Sequence, residues 1–278
     1  MKWRVAHLEI WRLARASGLA AALAFASPAG AACGAAGGAA HVEEITDRLE
    51  IRLADGRLAR LGGLDAPGPG RGDPQTAAAA RAFLEARFGG RDVELIVFSS
   101  SPDRWGRLIA DLRDGASAAA ETAANQLIFA GFARVRPEFE TRGCAADRLA
   151  LEVHARAAGL GLWNDPDYSI LGTTDVEELA QQDGRFVIVE GVVRRVAAGR
   201  TRFYIDFGGR GGFTVMVARK SQKAFPGAGA FLTGLAGEKI RVRGVLDNRF
   251  GPRLEIVEPP MLERLGQGGA GEGTKPGG

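Results

Sequence analysis

The stretch LADGRLARLGGLDAPGPG, residues 53–70, carries an alternating run through an Asp-Gly turn to a carboxylate, Asp65, followed by a proline and further turn formers. A carboxylate held at such a bend is the oxygen donor a hard cation uses, and metal-assisted phosphodiester cleavage is one chemistry it would serve. One carboxylate falls short of that chemistry. A hard cation takes several oxygen ligands, and hydrolysis needs a base within one water of the attacking oxygen. A second group of interest lies far downstream. Phe203, Tyr204 and Phe207 share one strand-like run, so alternation turns Phe203 and Ile205 one way and leaves Tyr204 accessible on the other. Arg202, Arg210, Lys220 and Lys223 are the cations that would surround Tyr204 if it stacks on single-stranded nucleic acid. Core packing and solubilising charge account for the same residues.

Two sets of short elements must position these groups. VEEIT (42–46), LEIRLA (49–54) and RLARLGGL (57–64) read as strands, the last two joined by Asp55-Gly56, a strong hairpin signal. A helix is expected from Pro74 to a glycine stop at 89–90. DVELIVF (92–98) and RLIADLR (107–113) return to alternation, and helical stretches follow at 117–130 and 145–158. Three strands, a helix and two strands is the order of a five-stranded Greek-key barrel. The order recurs at 186–196, 202–207 and 212–218, a helical piece near 229–235, then 238–246 and 253–259. The expected fold class is mainly β with helices: two small five-stranded OB-like Greek-key barrels in tandem, the first with additional helices. The boundaries are 41–163 for the first barrel, 164–184 for a polar linker, 185–265 for the second, and 266–278 for a flexible tail.

Over residues 41–163 the chain resembles the thermonuclease, or staphylococcal-nuclease-like, domain family. The resemblance rests on ITDRLEIRLADG, RLARLGGLDAPG, DRWGRLIADL, NQLIFAGFARV and CAADRLALEVHARAAGLGLW, in that order. It implies a calcium ion held by two aspartates, a glutamate that steers the attacking water, and two arginines that clamp the phosphate. The clamp falls on Arg60 and Arg107, and one metal aspartate on Asp65. The family's Asp-Gly-Asp-Thr stretch falls on Asp47, Arg48, Leu49 and Glu50, so the other metal aspartate is Leu49. The glutamate falls on Gly68. Strand alternation would set Asp47 on the side of Leu49, roughly 7 Å away, and turn Glu50 to the opposite face. The metal site is thus incomplete, Asp65 with Asp47 at best. Trp105, inside DRWGR, stands beside the clamp as a packing wedge or a base contact, and the two arginines can equally pair with Asp65 and Asp103.

The resemblance and its gaps imply an exported nuclease-fold protein with lost or very weak phosphodiesterase activity that keeps an arginine site for phosphate or another polyanion. The alternatives are a calcium-dependent secreted nuclease with a rearranged site, and a non-catalytic interaction scaffold of the cell envelope. No cofactor is expected, with Ca2+ under the nuclease reading. Nucleic acid is the partner in view, and the sequence assigns no oligomeric state. Residues 1–32 read as a signal peptide, with basic residues at 2, 4, 12 and 15, an apolar stretch and small residues near 29 and 31. The apolar stretch is short for a bilayer span, and the mature chain carries no transmembrane segment of its own. Export places both cysteines, Cys33 and Cys144, in an oxidising compartment, where they pair or stay as thiols, with lipidation of Cys33 a further alternative. Their spacing excludes a zinc or CxxC redox motif. At 46% hydrophobic residues the chain is not a disordered protein. Charge separates the halves: residues 42–163 hold 16 Arg against 18 Asp and Glu, whereas 181–265 hold 15 Arg and Lys against 8. The basic second half suits a polyanion.

Overall fold

The computed structural model describes residues 33–115, 120–209, 211–227 and 229–266. The signal segment, Arg210 and nearly all of the tail lie outside these residues. Strand β1 (Ala35–Ile45) opens the first barrel and is followed by β2 (Glu50–Leu53) and β3 (Leu58–Leu61). Strand β1 starts seven residues before the expected VEEIT run. Its Ala- and Gly-rich front half lacks side chains that would announce a strand, yet its backbone pairs with a later strand as well as any other. β2 alternates as expected, with Ile51 and Leu53 inside and Arg52 outside. Its hairpin with β3 sets Glu50 directly opposite Arg60.

Strand β4 (Leu64–Asp65) stands apart from the barrel wall and leads to helix α1 (Pro74–Phe88). Asp73 caps α1 by accepting from the Gln75 amide at 2.8 Å, Pro74 occupies the first turn, and Ala80, Leu84 and Phe88 recur every fourth residue on the buried face. Strands β5 (Asp92–Val97) and β6 (Leu108–Asp114) close the barrel in the order β1-β2-β3-β6-β5, with β3 and β6 parallel. Helix α2 (Ala123–Phe129), strand β7 (Arg134–Val135) and helix α3 (Ala145–Ala157) complete this half. β7 pairs only with β4, so the two form a small separate ladder beside the barrel. Of the apolar stripe Leu149, Leu151, Val153 and Ala157 that spacing suggests, Leu149 and Leu151 pack against the first core while partly exposed, and the fully buried face of α3 is a different one. It carries Arg148 and Glu152 together with Ala145 and Ala155, while Val153 is exposed. Cys33 is joined to Cys144 just ahead of α3, Cα–Cα 5.2 Å.

Residues 164–184 are more than a linker. They hold strand β8 (Leu171–Gly172), which pairs with the next strand, and helix α4 (Val176–Ala180); Leu171 and Leu179 enter the second core. Two leucines among many polar residues suffice, because both are buried. The second sheet follows with β9 (Phe186–Val192), β10 (Arg195–Ala198), β11 (Arg202–Asp206), β12 (Thr214–Ala218), helix α5 (Gly229–Thr233), β13 (Lys239–Asp247), β14 (Arg253–Glu255) and β15 (Leu262–Arg264). β9 pairs β13, β13 pairs β14, β14 lies parallel to β12, and β12, β11 and β10 continue the sheet. Because β9 and β10 are successive halves of one run broken at 193–194, the path repeats the barrel order of the first half, with β8 and β15 added. No helix among the described residues is long and apolar enough to cross a membrane.

The Cys33–Cys144 link spans 111 residues. A cross-link of that length removes about 4–5 kcal/mol of unfolded-chain entropy. The Cys33→Ser/Cys144→Ser variant is therefore expected to unfold at a clearly lower temperature than the oxidised protein, and reductant is expected to lower only the wild-type midpoint, both read by thermal melts.

Candidate functional site

A cleft of about 740 Å³ opens on the outer face of the first barrel where β2, β3 and the loop before β6 meet. Arg60 and Arg107 stand side by side in its floor, each about one-fifth exposed. Neither is free. Arg60 lies 3.1 Å from Glu138 and 3.5 Å from Asp103, and Arg107 lies 2.8 Å from Asp103 and 2.5 Å from Glu50. Two guanidiniums are thus enclosed by three carboxylates. Sequence reasoning anticipated the Asp103 pairing and missed Glu50 and Glu138. Glu138 follows Arg134 and Arg136 in the RVRPEFE run, whose charges alternating with apolar residues are the signal that was there to find. Its carboxylate also accepts from the Gly63 amide at 3.1 Å, and Gly63 has φ +76° with Thr141 and Arg148 packed where a Cβ would stand. That position admits glycine alone without displacing the wall.

Glu50 reaches the cleft by a route that strand alternation from residue 47 does not foresee. Residues 46–49 form a turn, and Leu49 takes the left-handed conformation, φ +56°, with its side chain buried in the barrel core. A leucine there costs on the order of 1 kcal/mol or more, offset by its burial. The turn resets the alternation, so Glu50 faces the arginines without any register slip. Asp47 is carried the other way and pairs with Arg81 of α1 at 2.6 Å on an exposed surface. The expected pairing of Asp47 with Asp65 at a metal therefore does not form: the turn separates them.

Asp65 borders the cleft, but its carboxylate is turned into the protein. Oδ2 accepts from Arg134 Nε at 3.0 Å and Nη2 at 2.6 Å, and Oδ1 faces Arg71 at 3.5 Å. Arg134 is completely buried. It also donates to the Tyr168 carbonyl at 2.7 Å and the Phe186 carbonyl at 3.2 Å, and Arg71 donates to that same Phe186 carbonyl at 3.1 Å. Phe186 begins the second sheet. Asp65 thus holds two guanidiniums that fasten the second sheet to the first barrel. A second knot lies beside it: Arg243 of β13 donates to the Val135 carbonyl at 2.9 Å and to Glu152 of α3 at 2.9 and 3.0 Å, with both side chains fully buried. Tyr168 sits between Arg71 and Arg134, and burial pushes its phenol up to about 12.

Calcium does not fit what remains. Both oxygens of Asp65 face guanidiniums, Leu49 offers no oxygen, and Gly68 has no side chain to offer one. Among the described residues no group of three or more His, Cys, Asp or Glu side chains is arranged to hold a metal ion. Around the arginines, burial works to raise the Asp103 carboxyl, but hydrogen bonds from the Arg107 side chain and backbone and from the Trp105 amide outweigh it and hold the group down at about 2. Trp105 is 63% exposed at the cleft rim, with Arg104 4.0 Å and Arg107 4.8 Å from its ring centre. It is an open aromatic surface and not a core wedge.

Tyr204 is on the second sheet, partly exposed beside Gly199, and of the cations expected around it Arg202 shares its exposed face of β11. Lys220 and Lys223 line a different groove, and Arg210 lies outside the described residues. His154 stacks on Phe129 with ring centres 4.3 Å apart on the surface of α2 and α3.

Residues 59–165 match the family model described as Staphylococcal nuclease homologue. This part of the chain is a thermonuclease-like domain. The match begins at β3 and runs through the close of the first half, covering Arg60, Asp65, Gly68 and Arg107. No curated protein matches the chain. Within the thermonuclease-like domain Arg60 and Arg107 stand on the barrel surface, whereas Asp65 faces the seam with the following sheet.

Removing one partner of a fully buried ion pair leaves an uncompensated charge and costs roughly 3–5 kcal/mol. Asp65→Ala is expected to lose that much in urea unfolding, and calcium is expected to leave the wild-type midpoint unmoved; a loss below about 1 kcal/mol would contradict the seam role. The Asp103 contribution has a defined pH window. A carboxyl held below its unfolded value stabilises fully above about pH 4 and loses that contribution as pH falls through about 2. Trp105 emission, followed in protein that lacks residues 1–32 and carries Trp163→Phe, is expected to titrate with a midpoint at about 2 and to be nearly flat above about pH 4.

Proposed function

We propose that this is an exported nuclease-fold protein that binds phosphate-bearing polymers, single-stranded nucleic acid foremost, without cleaving them. The observation that carries the non-cleaving half is the engagement of Asp65 by Arg134 and Arg71. With that carboxylate spent on the seam, leucine at 49 and glycine at 68, the positions the family uses for metal and water supply no free oxygen, and Glu50, Asp103 and Glu138 in the cleft are each held by an arginine.

The binding half is supported by the composition of the cleft. Arg60 and Arg107 present planar donors, and a phosphate can take the place of Glu50 or Asp103 on them. Arg48 and Arg104 stand at the rim with no ion-pair partner among the described residues, next to the open Trp105 ring. Because three acids already balance the two inner arginines, such binding belongs to the weak, salt-sensitive class, with Kd on the order of 1–100 µM. Export is supported by the pattern of residues 1–32 and by the Cys33–Cys144 pairing, which an oxidising compartment sustains.

Mature protein incubated with single-stranded DNA in calcium or in chelator is expected to leave the DNA intact in both, while gel-shift or filter binding retains it at low salt. Arg60→Ala/Arg107→Ala is expected to weaken that retention about tenfold or more. Calcium-dependent cleavage that vanishes in Asp65→Ala would overturn the reading.

A further inference from the structure

The segment after β7 forms a wall shared by two openings. Glu138 and Glu140 face the arginine cleft, and Phe139 between them faces a groove of about 730 Å³ whose opposite side is built from the second sheet. Phe139 and Arg142 contribute from the thermonuclease-like domain; Lys220, Lys223 and Glu258 contribute from the other side.

From this arrangement we propose that the groove is a second contact site for single-stranded nucleic acid, taking a base on Phe139 and the flanking phosphates on Arg142, Lys220 and Lys223. It rests on the reading above for the class of ligand, and adds a site that the family match to residues 59–165 does not contain in full, since both lysines lie beyond it.

Three observations carry it. Phe139 is 63% exposed, so its ring is not committed to either core, and the Arg142 guanidinium lies 4.2 Å from the ring centre, fixing it from one side. Arg142, Lys220 and Lys223 have no ion-pair partner among the described residues, against a single carboxylate, the buried Glu258. The groove therefore carries surplus positive charge, the opposite of the arginine cleft, where carboxylates enclose the guanidiniums. Finally, the two openings are neighbours across residues 138–142, so a strand seated with one phosphate at Arg60 and Arg107 continues along the same wall to Phe139. An exposed ring among unpaired cations is what a base with its phosphates fits. A duplex keeps its bases stacked and has none to offer the ring, so the strand must be single.

The test uses full-length mature protein and fluorescein-labelled oligothymidylates of about 4 and 16 nucleotides, read by anisotropy across a salt series, with circular dichroism confirming that each variant keeps its fold. Phe139→Ala is expected to weaken binding of the longer oligomer about 5- to 100-fold, and Phe139→Trp to preserve it. Lys220→Ala/Lys223→Ala is expected to flatten the slope of log K against log salt by about 1.4, the value for two lost phosphate contacts on a single strand. An abasic oligomer is expected to bind Phe139→Ala and wild type alike. If Arg60→Ala/Arg107→Ala abolishes binding while the Phe139 and lysine variants bind as wild type, the groove inference is overturned and the cleft reading stands. If the groove variants lose binding and the arginine variant does not, the groove stands and the cleft reading falls. Wild type that ignores the oligomers and binds polyglutamate through Lys220 and Lys223 would overturn both, making the ligand an acidic protein.

Discussion

The ion pair of Asp65 with Arg134 is the interaction on which the arrangement of this molecule turns. Its aspartate sits on β4 and its arginine on β7, the two strands of the small ladder beside the first barrel, and the guanidinium reaches on to carbonyls of Tyr168 and Phe186. A buried charge is costly unless paired and fully hydrogen-bonded. Here each is. Arg71 shares both Asp65 and the Phe186 carbonyl, and the parallel knot of Arg243 with Glu152 closes on Val135, the neighbour of Arg134 in β7. The two halves of the chain are therefore joined through polar contacts of fixed direction, which specify one docking geometry where an apolar seam would tolerate sliding.

That seam and the metal chemistry of the family compete for the same carboxylate. Asp65 cannot offer its oxygens to a hard cation while two guanidiniums hold them, and burial makes those guanidiniums expensive to abandon. The two other positions at which the resemblance implies carboxylates hold leucine and glycine. Leu49 has become a core residue, and Gly68 faces open space. The arginine pair meanwhile stays at the barrel surface because its carboxylate partners lie there too.

Charge distribution follows the same division. The first half is close to neutral and its cleft is internally compensated, so its surface does not attract anions strongly. Surplus cations collect on the second half, and two of them, Lys220 and Lys223, are brought by the seam to face Phe139. A rigid docking of the halves is thus what creates the groove.

Much of this was legible from residue types alone. The Asp-Gly hairpin, the alternation in 50–53, the capped helix from Pro74 and the repeated strand order all depend on local backbone preference and on which face a side chain must bury, and these forces act between near neighbours. The closed first barrel and the second sheet with its repeated strand order follow from such short-range rules. Other features depended on residues far apart in sequence. The strand at 35–41 exists because β5 offers it hydrogen bonds, the polar face of α3 is buried because Asp111 and Arg243 answer it, and the left-handed turn at Leu49 redirects Glu50 to the arginines. Most of all, whether Asp65 faces a metal or an arginine was decided 69 residues downstream and by a strand of the second sheet. A carboxylate's role is set by which charges fold around it, and that is a property of the tertiary structure.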